Sequence, residues 1–305
     1  MRSLLTGSRG LLGGHILDKL NEMGVDVVAP TREKIDLRDS NATLRFMESE
    51  KVDGVIHCAA LVGGIAENIR RPGDFILQNL LVDSSVISAS LTLQIPKFVY
   101  FSSSCTYPVE AQQPFKETSI LTGPPEITNS SYALAKIAGT KSIEHVSSQY
   151  SLQWNTLVLS NIYGPRDNFD PNSSHLLAAI IRKLLVGKSN SESSTKIWGD
   201  GLARREFTYV GDVASFVARV WMESLELPRT MNVGAGVDFS VTEYYEKVCK
   251  ELDYFPRFEF DPSIPSGIKS KLMDSTIASK FGWQPSTSLE LGLRNTIEWY
   301  KEYGI

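Results

Sequence analysis

The sequence is poor in cysteine and histidine, and its charge has no strong sign. The three cysteines, Cys58, Cys105 and Cys249, are widely spaced in 305 residues and form no Cys-x-x-Cys pair. This spacing argues against a zinc site and a disulfide framework, so we predict no metal ion and a reducing, cytoplasmic setting. The net charge of −4 and the lack of a long basic run argue against a nucleic-acid partner.

Long hydrophobic runs are also missing from the sequence. None approaches the roughly 18 apolar residues that a membrane helix requires, so we expect no membrane contact. The first ten residues turn glycine-rich too early for a signal peptide. The 42% hydrophobic and 22% charged residues are typical of a globular protein with one large domain or two modest ones.

Short apolar runs alternate with helical patterns over the first half of the chain. Strands are predicted at residues 2–6, 25–30, 53–58, 97–102 and 155–160. Helices are predicted at residues 12–23, 41–49, 73–93 and 132–150. Continuous Val/Ile/Leu runs are typical of buried parallel strands, so the alternation predicts an α/β fold with a Rossmann-type doubly wound parallel sheet.

The second half is less regular and is interrupted by proline and glycine. Strands are predicted at residues 196–198, 205–210, 230–233 and 257–260. Helices are predicted at residues 174–186, 213–223, 242–252 and 288–303. We interpret residues 1–165 as a dinucleotide-binding domain to which some later segments return. Residues 166–305 are predicted to form mainly a smaller C-terminal α/β domain that binds the substrate.

A glycine-rich segment directly follows the first predicted strand. Gly7, Gly10 and Gly13 form a G-x-x-G-x-x-G pattern at a strand–helix junction. The first glycine permits a tight turn, the next lets the backbone approach a pyrophosphate, and the last lets helix and strand pack closely. The predicted cofactor loop consists of Gly7, Ser8, Arg9, Gly10, Leu11, Leu12 and Gly13.

The end of the second predicted strand favours NADP over NAD. NAD-binding folds place an acid there to hold the ribose 2′-hydroxyl, whereas this chain has no acid between the strand and Glu33. Arg9 and Arg32 suit a 2′-phosphate, because the planar guanidinium group pairs with phosphate oxygens. The alternative is that both arginines are solvated surface charges. Asp36 is a weaker candidate for a contact with the adenine.

Hydroxyl groups and a thiol follow the fourth predicted strand at Ser102, Ser103 and Cys105. Ligands of open α/β sheets bind at the carboxyl ends of the strands, so these groups are predicted to face the nicotinamide and the substrate. Tyr132 and Lys136 are four residues apart and share one face of a long helix. A lysine ammonium favours the phenolate and lowers the tyrosine pKa, and a phenol tuned in this way can pass a proton to a carbonyl oxygen.

The glycine loop, the serine triplet at residues 102–104 and the Tyr-x-x-x-Lys pair together resemble the extended short-chain dehydrogenase/reductase superfamily. Further stretches resemble the GDP-L-fucose synthase family, the 3,5-epimerase/4-reductases of GDP-4-keto-6-deoxy-D-mannose. These stretches are residues 59–65, 72–75, 78–79, 103–108, 132–139, 161–165, 167–169, 174–175, 205–207 and 232–234. The resemblance covers nearly the whole chain, and the contexts of Cys105 and His175 are its most specific parts.

The resemblance implies one site that couples two epimerisations to a reduction. Cys105 would be the base and His175 the acid at C3 and C5, whose protons are acidified by the C4 ketone. Hydride would then reach C4 from NADPH, while Tyr132 donates the proton and Ser103 hydrogen-bonds the oxygen. The remaining histidines and cysteines are expected to be structural: His15, His57, His145, Cys58 and Cys249.

The resemblance also assigns residues to the substrate nucleotide and to the cofactor. The nucleotide residues would be Lys183, Trp198, Arg205 and Lys271. Lys183 stands where the family commonly has arginine, and Ser266 stands where an acid is expected at the guanine edge. The cofactor residues outside the glycine loop would be Arg32, Ser102, Ser103, Lys136, Leu159, Ser160, Asn161, Ile162 and His175. A homodimer through helices 73–93 and 132–150 is implied as well.

Several alternatives share parts of this pattern. A 4,6-dehydratase would carry an Asp-Glu pair where Ser104 and Cys105 stand, and a UDP-hexose 4-epimerase would lack the Cys105/His175 pair. A GDP-colitose synthase would use the same residues on a 3-deoxy substrate and remains open. A non-catalytic NADP-sensing protein typically loses the tyrosine or the lysine, and both Tyr132 and Lys136 are present.

Overall fold

The computed structural model describes residues 1–264 and 267–304. The strands are β1 (Arg2–Thr6), β2 (Asp26–Val28), β3 (Gly54–His57), β4 (Lys97–Ser103), β5 (Gln153–Leu159), β6 (Asn161–Tyr163), β7 (Ser194–Trp198), β8 (Arg204–Tyr209), β9 (Thr230–Val233), β10 (Asp238–Ser240) and β11 (Arg257–Asp261). The helices are α1 (Leu11–Glu22), α2 (Ser40–Ser49), α3 (Ile65–Arg70), α4 (Pro72–Thr92), α5 (Ser130–Tyr150), α6 (Leu176–Ser189), α7 (Val210–Met222), α8 (Val241–Leu252), α9 (Thr276–Lys280) and α10 (Leu289–Tyr303). Short 3₁₀ turns lie at Ser104–Thr106, Glu117–Ser119 and Ile127–Asn129.

The central sheet has six strands, all parallel, in the order β2-β1-β3-β4-β5-β9. The predicted fold class, a Rossmann-type doubly wound α/β sheet, is confirmed. Its sixth strand, β9, comes from late in the chain, after three strands that belong to smaller sheets. The carboxyl ends of β1, β3, β4 and β5 therefore meet at one edge of the sheet, where ligands of such folds bind.

Both faces of the sheet are covered by helices, because successive strand residues point to opposite sides. Leu5 and Leu157 pack with residues of α1 and α7 on one face. Leu4, Phe98 and Trp154 pack with residues of α2, α4 and α5 on the other face. Burial on both sides is the reason why these strands read as continuous apolar runs.

The rest of the chain builds a smaller α/β unit beside the carboxyl edge. Its sheets are β10-β8-β6 and β11-β7. Residues of α6, α8 and α10 form a second core with Phe207 of β8 and Ile197 of β7. Strand β8 leads into α7 at Val210, and α7 packs against the central sheet, so the two units share a continuous element.

The elements that the sequence analysis did not predict are short. They are α3, β6, β10 and α9, none longer than six residues. Segments of this length carry too few residues to show a helical or alternating period. The long elements begin and end within a few residues of the predicted limits.

Helix α4 is long and apolar enough to cross a membrane by length and composition alone, contrary to the expectation from the sequence. An 18-residue window within it has a mean hydropathy of 1.3, with 44% of that window buried inside the protein. The helix packs between α2 and α5 and turns Asn79 and Asp83 into the interior. Both polar side chains are hydrogen-bonded there, which is the behaviour of a core helix.

Candidate functional site

The loop between β1 and α1 could hold a phosphate group. Gly7 has a φ of +69°, and a Cβ there would lie 2.7 Å from the backbone nitrogen of Ala59. A Cβ on Gly13 would lie 2.2 Å from the carbonyl oxygen of Gly7. Gly10 caps α1 without a side chain, so the amides of the first helical turn at Leu11 and Leu12 remain accessible to an anion. Pyrophosphate is the group that this backbone geometry suits best.

Arg9 extends from this loop to the end of β2. Its Nη1 lies 3.0 Å from a carboxylate oxygen of Glu33, and both side chains are 71% exposed. Arg32 is also exposed at the same strand end. Asp36, the weaker adenine candidate, is instead paired with Arg38, whose hydrogen bonds hold the pKa of Asp36 at about 2. The structure thus brings an acid, Glu33, to the arginine that the sequence assigns to a 2′-phosphate.

The carboxyl end of β4 holds the predicted hydroxyl and thiol groups together. Ser102 is buried, and its Oγ accepts a hydrogen bond from Thr140 of α5 at 3.0 Å. The chain then makes the 3₁₀ turn Ser104–Thr106, in which the backbone nitrogen of Cys105 donates to the Ser103 Oγ at 3.3 Å. This turn fixes the position of Cys105 relative to Ser103.

Two side chains from distant segments contact the sulfur of Cys105. The Nδ2 of Asn129 lies 3.3 Å from the Sγ, and the Nζ of Lys271 lies 3.5 Å from it. Sequence reasoning missed Asn129, although its position three residues before Tyr132 in the chain was a usable signal. Lys271 was predicted to bind the nucleotide, whereas its buried ammonium group lies beside the thiol.

Tyr132 lies in the first turn of α5, next to Cys105. Its ring packs edge-to-face on Phe75 of α4, with 6.4 Å between ring centroids. Burial raises the pKa of Tyr132 well above its ordinary value, and Cys105 and Asp83 act in the same direction. The sequence predicted that Lys136 lowers this pKa, and that prediction is wrong for the protein without a bound ligand. The Nζ of Lys136 instead donates to the hydroxyl of Tyr100 at 3.0 Å.

His175 is the N-terminal cap residue of α6, where a loop from the smaller unit approaches the central sheet. The backbone nitrogen of Gly64 donates to the carbonyl of Ser173 at 3.3 Å, and a Cβ on Gly64 would lie 2.8 Å from the Ser174 oxygen. The loop at residues 59–64 also touches Gly7. Loops after β1 and β3 and the His175 loop thus converge. Burial lowers the pKa of His175, which favours the neutral imidazole.

Arg205 of β8 brings a buried guanidinium group into the vicinity of Cys105. Its Nη1 donates to the carbonyl oxygen of Ile268 at 2.7 Å. Burial lowers the pKa of Arg205, while Cys105 and the buried Glu126 oppose that shift, which places both groups in its vicinity. Sequence reasoning missed Glu126.

The other two predicted nucleotide residues, Lys183 and Trp198, lie where α6 packs on β7. The Nζ of Lys183 donates to the carbonyl of Lys196 at 2.7 Å, and Trp198 ends β7 with 53% of its surface exposed. Arg205 and Lys271 therefore both lie near Cys105, and Lys183 contacts the strand that Trp198 ends. The prediction for Ser266 lies outside the described residues.

The end of β5 connects the two units. Leu159 and Ser160 are buried, and the Ser160 hydroxyl lies 2.6 Å from the Oγ1 of Thr208 on β8. The Nδ2 of Asn161 donates to the carbonyl of Glu206 at 3.1 Å, and Ile162 packs against the core of the central sheet. These contacts fix β8, and hence Arg205, relative to the sheet edge.

Comparison with known proteins gives consistent matches over nearly the whole chain. The sequence profile of the NAD dependent epimerase/dehydratase family matches residues 3–234. The chain is 39% identical to the GDP-L-fucose synthase of Azorhizobium caulinodans, over 97% of this chain and 95% of that protein. It is 36% identical to the GDP-L-colitose synthase of Yersinia pseudotuberculosis, over 98% of each. A solved GDP-mannoheptose C4 reductase from Campylobacter jejuni with NADP bound superposes with a TM-score of 0.87 and 29% identity, over 98% of each chain.

Proposed function

Because the chain belongs to the NAD dependent epimerase/dehydratase family, we propose that it is a GDP-L-fucose synthase. In this proposal it inverts C3 and C5 of GDP-4-keto-6-deoxy-D-mannose and then reduces C4 with NADPH. The observation that carries the proposal is the grouping of Ser103, Cys105 and Tyr132 at the carboxyl edge of the sheet, with the cationic side chains of Lys271 and Arg205 around the thiol. A thiol and a phenol in one site suit a reaction that needs both a carbon base and a proton donor.

The cofactor residues fit a dinucleotide phosphate. The cradle from Gly7 to Gly13 would hold the pyrophosphate on the amides of α1, and Arg9 and Arg32 would pair with a 2′-phosphate at the end of β2. Glu33 now pairs with Arg9, so phosphate binding has to compete with this exposed ion pair, which contributes little stability. The solved C. jejuni reductase with NADP bound supports NADP for this chain.

Substitution of Arg9 or Arg32 by alanine is expected to raise the KM for NADPH about tenfold or more, since a hydrogen bond to a charged group contributes roughly 1.5–3 kcal/mol. The KM for NADH should not change, because NADH has no 2′-phosphate. Initial rates with the two cofactors measure the difference. Arg38→Ala is the matched control, because Arg38 is a nearby exposed arginine already paired with Asp36. Equal effects on both cofactors would show that these arginines do not read the phosphate.

The epimerisations require a base and an acid on opposite sides of the sugar ring. The C4 ketone acidifies the protons on C3 and C5, and the thiolate of Cys105 would remove each to leave an enolate. Lys271 and Asn129 hold the sulfur in place for this transfer. His175, from the facing loop, would return a proton to the other face and so invert the centre. Its neutral imidazole at ordinary pH is able to donate the N–H proton but is a weaker acid than imidazolium.

The reduction requires a proton donor at the C4 oxygen. The reduced nicotinamide, when bound, supplies hydride to C4. Tyr132 would donate its phenolic proton to the oxygen, and the Ser103 hydroxyl would hydrogen-bond the same atom. The ammonium of Lys136, one helical turn away, would stabilise the phenolate that remains. Arg205 would pair with the diphosphate of the substrate and so orient the sugar.

The assay that tests the function combines the protein with GDP-4-keto-6-deoxy-D-mannose and NADPH. The expected result is loss of absorbance from NADPH and formation of GDP-L-fucose. No consumption of NADPH would refute the proposal. In a parallel arm, the 3-deoxy analogue tests GDP-colitose synthase, which the 36% identity to the Yersinia enzyme makes the second candidate. Faster reduction of the 3-deoxy substrate would favour that function.

We also propose that the protein is a homodimer. Helices α4 and α5 pack side by side, and their outer surface exposes Leu77 and Leu81 of α4 with 61% and 49% exposure and Leu134 of α5 with 45% exposure. The pair at i and i+4 forms an apolar ridge that a second copy would cover symmetrically.

The dimer is expected to sediment as twice the chain mass at micromolar concentration, and Leu81→Arg should shift it to the monomer because a charge cannot be buried in an apolar interface. Leu202→Arg is the control, since Leu202 is 70% exposed on the smaller unit. A monomeric wild-type protein would contradict the proposal. We further propose that residues 1–165 form the cofactor domain and that residues 166–305 form mainly the substrate domain. The proposed location of the protein is the cytoplasm.

A further inference from the structure

A chain of buried polar side chains lies beneath the Tyr132–Lys136 pair. We call it the Asp83 network, and its members are Thr6, His57, Asp83, Tyr100 and Lys136. Each is at most 3% exposed. The Nδ1 of His57 lies 2.7 Å from the Thr6 Oγ1, and its Nε2 lies 3.0 Å from the Asp83 Oδ1. The Tyr100 hydroxyl donates to the Asp83 Oδ2 at 2.5 Å.

The network ends on Lys136. Its Nζ donates to the Tyr100 hydroxyl at 3.0 Å and lies 3.7 Å from the Asp83 Oδ2. The ammonium also lies 4.4 Å from the centre of the Tyr100 ring. Tyr100 therefore accepts from the lysine and donates to the carboxylate, and both oxygens of Asp83 have a donor. Removal of one member leaves a buried polar group or charge without its partner, which is costly.

The helix that carries Lys136 is shaped to admit this network. A Cβ on Gly139 of α5 would lie 2.2 Å from the Tyr100 hydroxyl. Glycine in the middle of a helix costs roughly 0.5–1 kcal/mol relative to alanine, so its presence there requires a packing reason. The space occupied by the phenol is that reason, and the phenol in turn connects Asp83 to Lys136.

We propose that Asp83, held by His57 and Tyr100, is a positioning residue that keeps Lys136 charged and fixed one helical turn from Tyr132. This proposal rests on the proposed function, since it assigns Lys136 to the stabilisation of the Tyr132 phenolate. The sequence predicts a structural role for His57 and no role for Asp83 or Tyr100. None of the three is adjacent to Lys136 in the chain.

The electrostatic balance around Lys136 agrees with this role. Burial lowers the pKa of Lys136, and the negative charge of Asp83 from α4 opposes it, with a smaller contribution from Cys58 after β3. Burial by itself raises the pKa of Asp83, but Lys136, His57 and Tyr100 outweigh it and hold that pKa below its ordinary value. Within the part of the chain that the structure describes, Tyr100 of β4 and Tyr132 of the same helix also face this centre.

The sign of the pH effect follows from this balance. Without the charge of Asp83, burial acts on Lys136 with little opposition, so the lysine loses its proton at a lower pH. A neutral Lys136 no longer stabilises the phenolate on Tyr132. The alkaline limb of the kcat profile for reduction therefore moves to lower pH when Asp83 is neutralised, and activity is retained longest on the acid side.

The test compares Asp83→Asn, which keeps the side-chain shape, with the wild-type enzyme. The kcat for NADPH-dependent reduction is expected to fall about tenfold to a hundredfold, as the loss of a charge-assisted contact does, with its alkaline limb at lower pH. Solvent-deuterium exchange at C3 and C5 should continue, because Cys105 and His175 lie outside the network. Tyr100→Phe should have a smaller effect in the same direction, since the Asp83–Lys136 pair survives. Ser90→Ala is the control for packing of α4, because Ser90 is buried and bonded within its own helix.

Equal losses of exchange and reduction in Asp83→Asn, or an unmoved alkaline limb, would overturn the proposal. If Asp83→Asn does not fold, the comparison of Tyr100→Phe with the wild type still tests the proposal. Titration of Lys136 by NMR, with ¹³C-labelled lysine and without substrate, should show a lower apparent pKa in the variant than in the wild type. This readout separates the two proposals, because a wild-type protein that does not consume NADPH refutes the function while the titration still tests the network.

Discussion

Tyr132→Phe is expected to lower kcat for the reduction about 10²- to 10⁴-fold, the usual contribution of a positioned proton donor. The variant keeps the ring that packs on Phe75, so the start of α5 should retain its structure. What it lacks is the hydroxyl proton that, in the proposed mechanism, neutralises the oxygen at C4 as hydride arrives. NADPH oxidation under saturating substrate measures the loss.

Solvent-deuterium exchange at C3 and C5 distinguishes loss of the proton donor from general damage. Tyr132→Phe should still exchange both positions, since Cys105 and His175 are unchanged. Tyr150→Phe at the other end of α5 is the matched control, because Tyr150 is 50% exposed and lies far from the sheet edge along the helix. A Tyr132→Phe protein that reduces C4 at the wild-type rate would remove Tyr132 from the proposed chemistry.

The raised pKa of Tyr132 agrees with the role of proton donor that this experiment tests. A donor in the reductive direction must hold its proton before hydride transfer, and burial keeps Tyr132 protonated at neutral pH. The sequence led to the opposite expectation for this pKa, because a neighbouring lysine and a positively charged cofactor ring both favour the phenolate, whereas burial cannot be read from the spacing. In the proposed mechanism, the positive charge of Lys136 acts after the transfer, when it stabilises the phenolate product.

The second large effect is expected for Cys105→Ser. Deuterium incorporation at C3 and C5 should fall by about 10²- to 10⁴-fold, because a serine hydroxyl is a far weaker carbon base than a thiolate. Reduction of C4 should persist and should yield a 6-deoxyhexose with C3 and C5 uninverted. Mass and NMR analysis of the product in deuterated water measures both steps in one experiment.

Cys249→Ala is the control for thiol loss, since Cys249 is buried in the second core and contacts no predicted site residue in its cluster. It should leave exchange and reduction unchanged. If Cys105→Ser retains normal exchange while reduction slows, then Cys105 supports the reduction and is not the epimerisation base. His175 would then have to be considered as the base instead.

Local sequence was sufficient for the long elements of the central sheet. Strands β1, β3 and β4 are mainly apolar runs because helices cover both of their faces. A run of this kind can be recognised from a few consecutive residues. Segments such as α3 and β6 escaped prediction because they are short. Their positions are set by packing against β8 and the loop before His175.

The candidate site also has a part that local sequence predicts and a part that it does not. The spacing of Tyr132 and Lys136 places both on one helical face, and that much is local. The partners of Cys105 and Lys136 are not local: Lys271 contacts Cys105 from 166 residues away, and Lys136 contacts Tyr100 from 36 residues away. No period or spacing in the sequence connects such pairs, because the order of strands in the sheet decides which segments meet.

The sequence by itself determined the phosphate cradle, the parallel sheet and the residue types available for proton transfer, since steric demands on glycine and burial of strands act over a few residues. Only the tertiary structure decided the electrostatic setting of those residues. Burial raises the pKa of Tyr132, Asp83 opposes the loss of charge on Lys136, and Lys271 lies beside the Cys105 thiol. The reason is that desolvation and charge pairing depend on distances through space, which the fold sets and the order of residues does not.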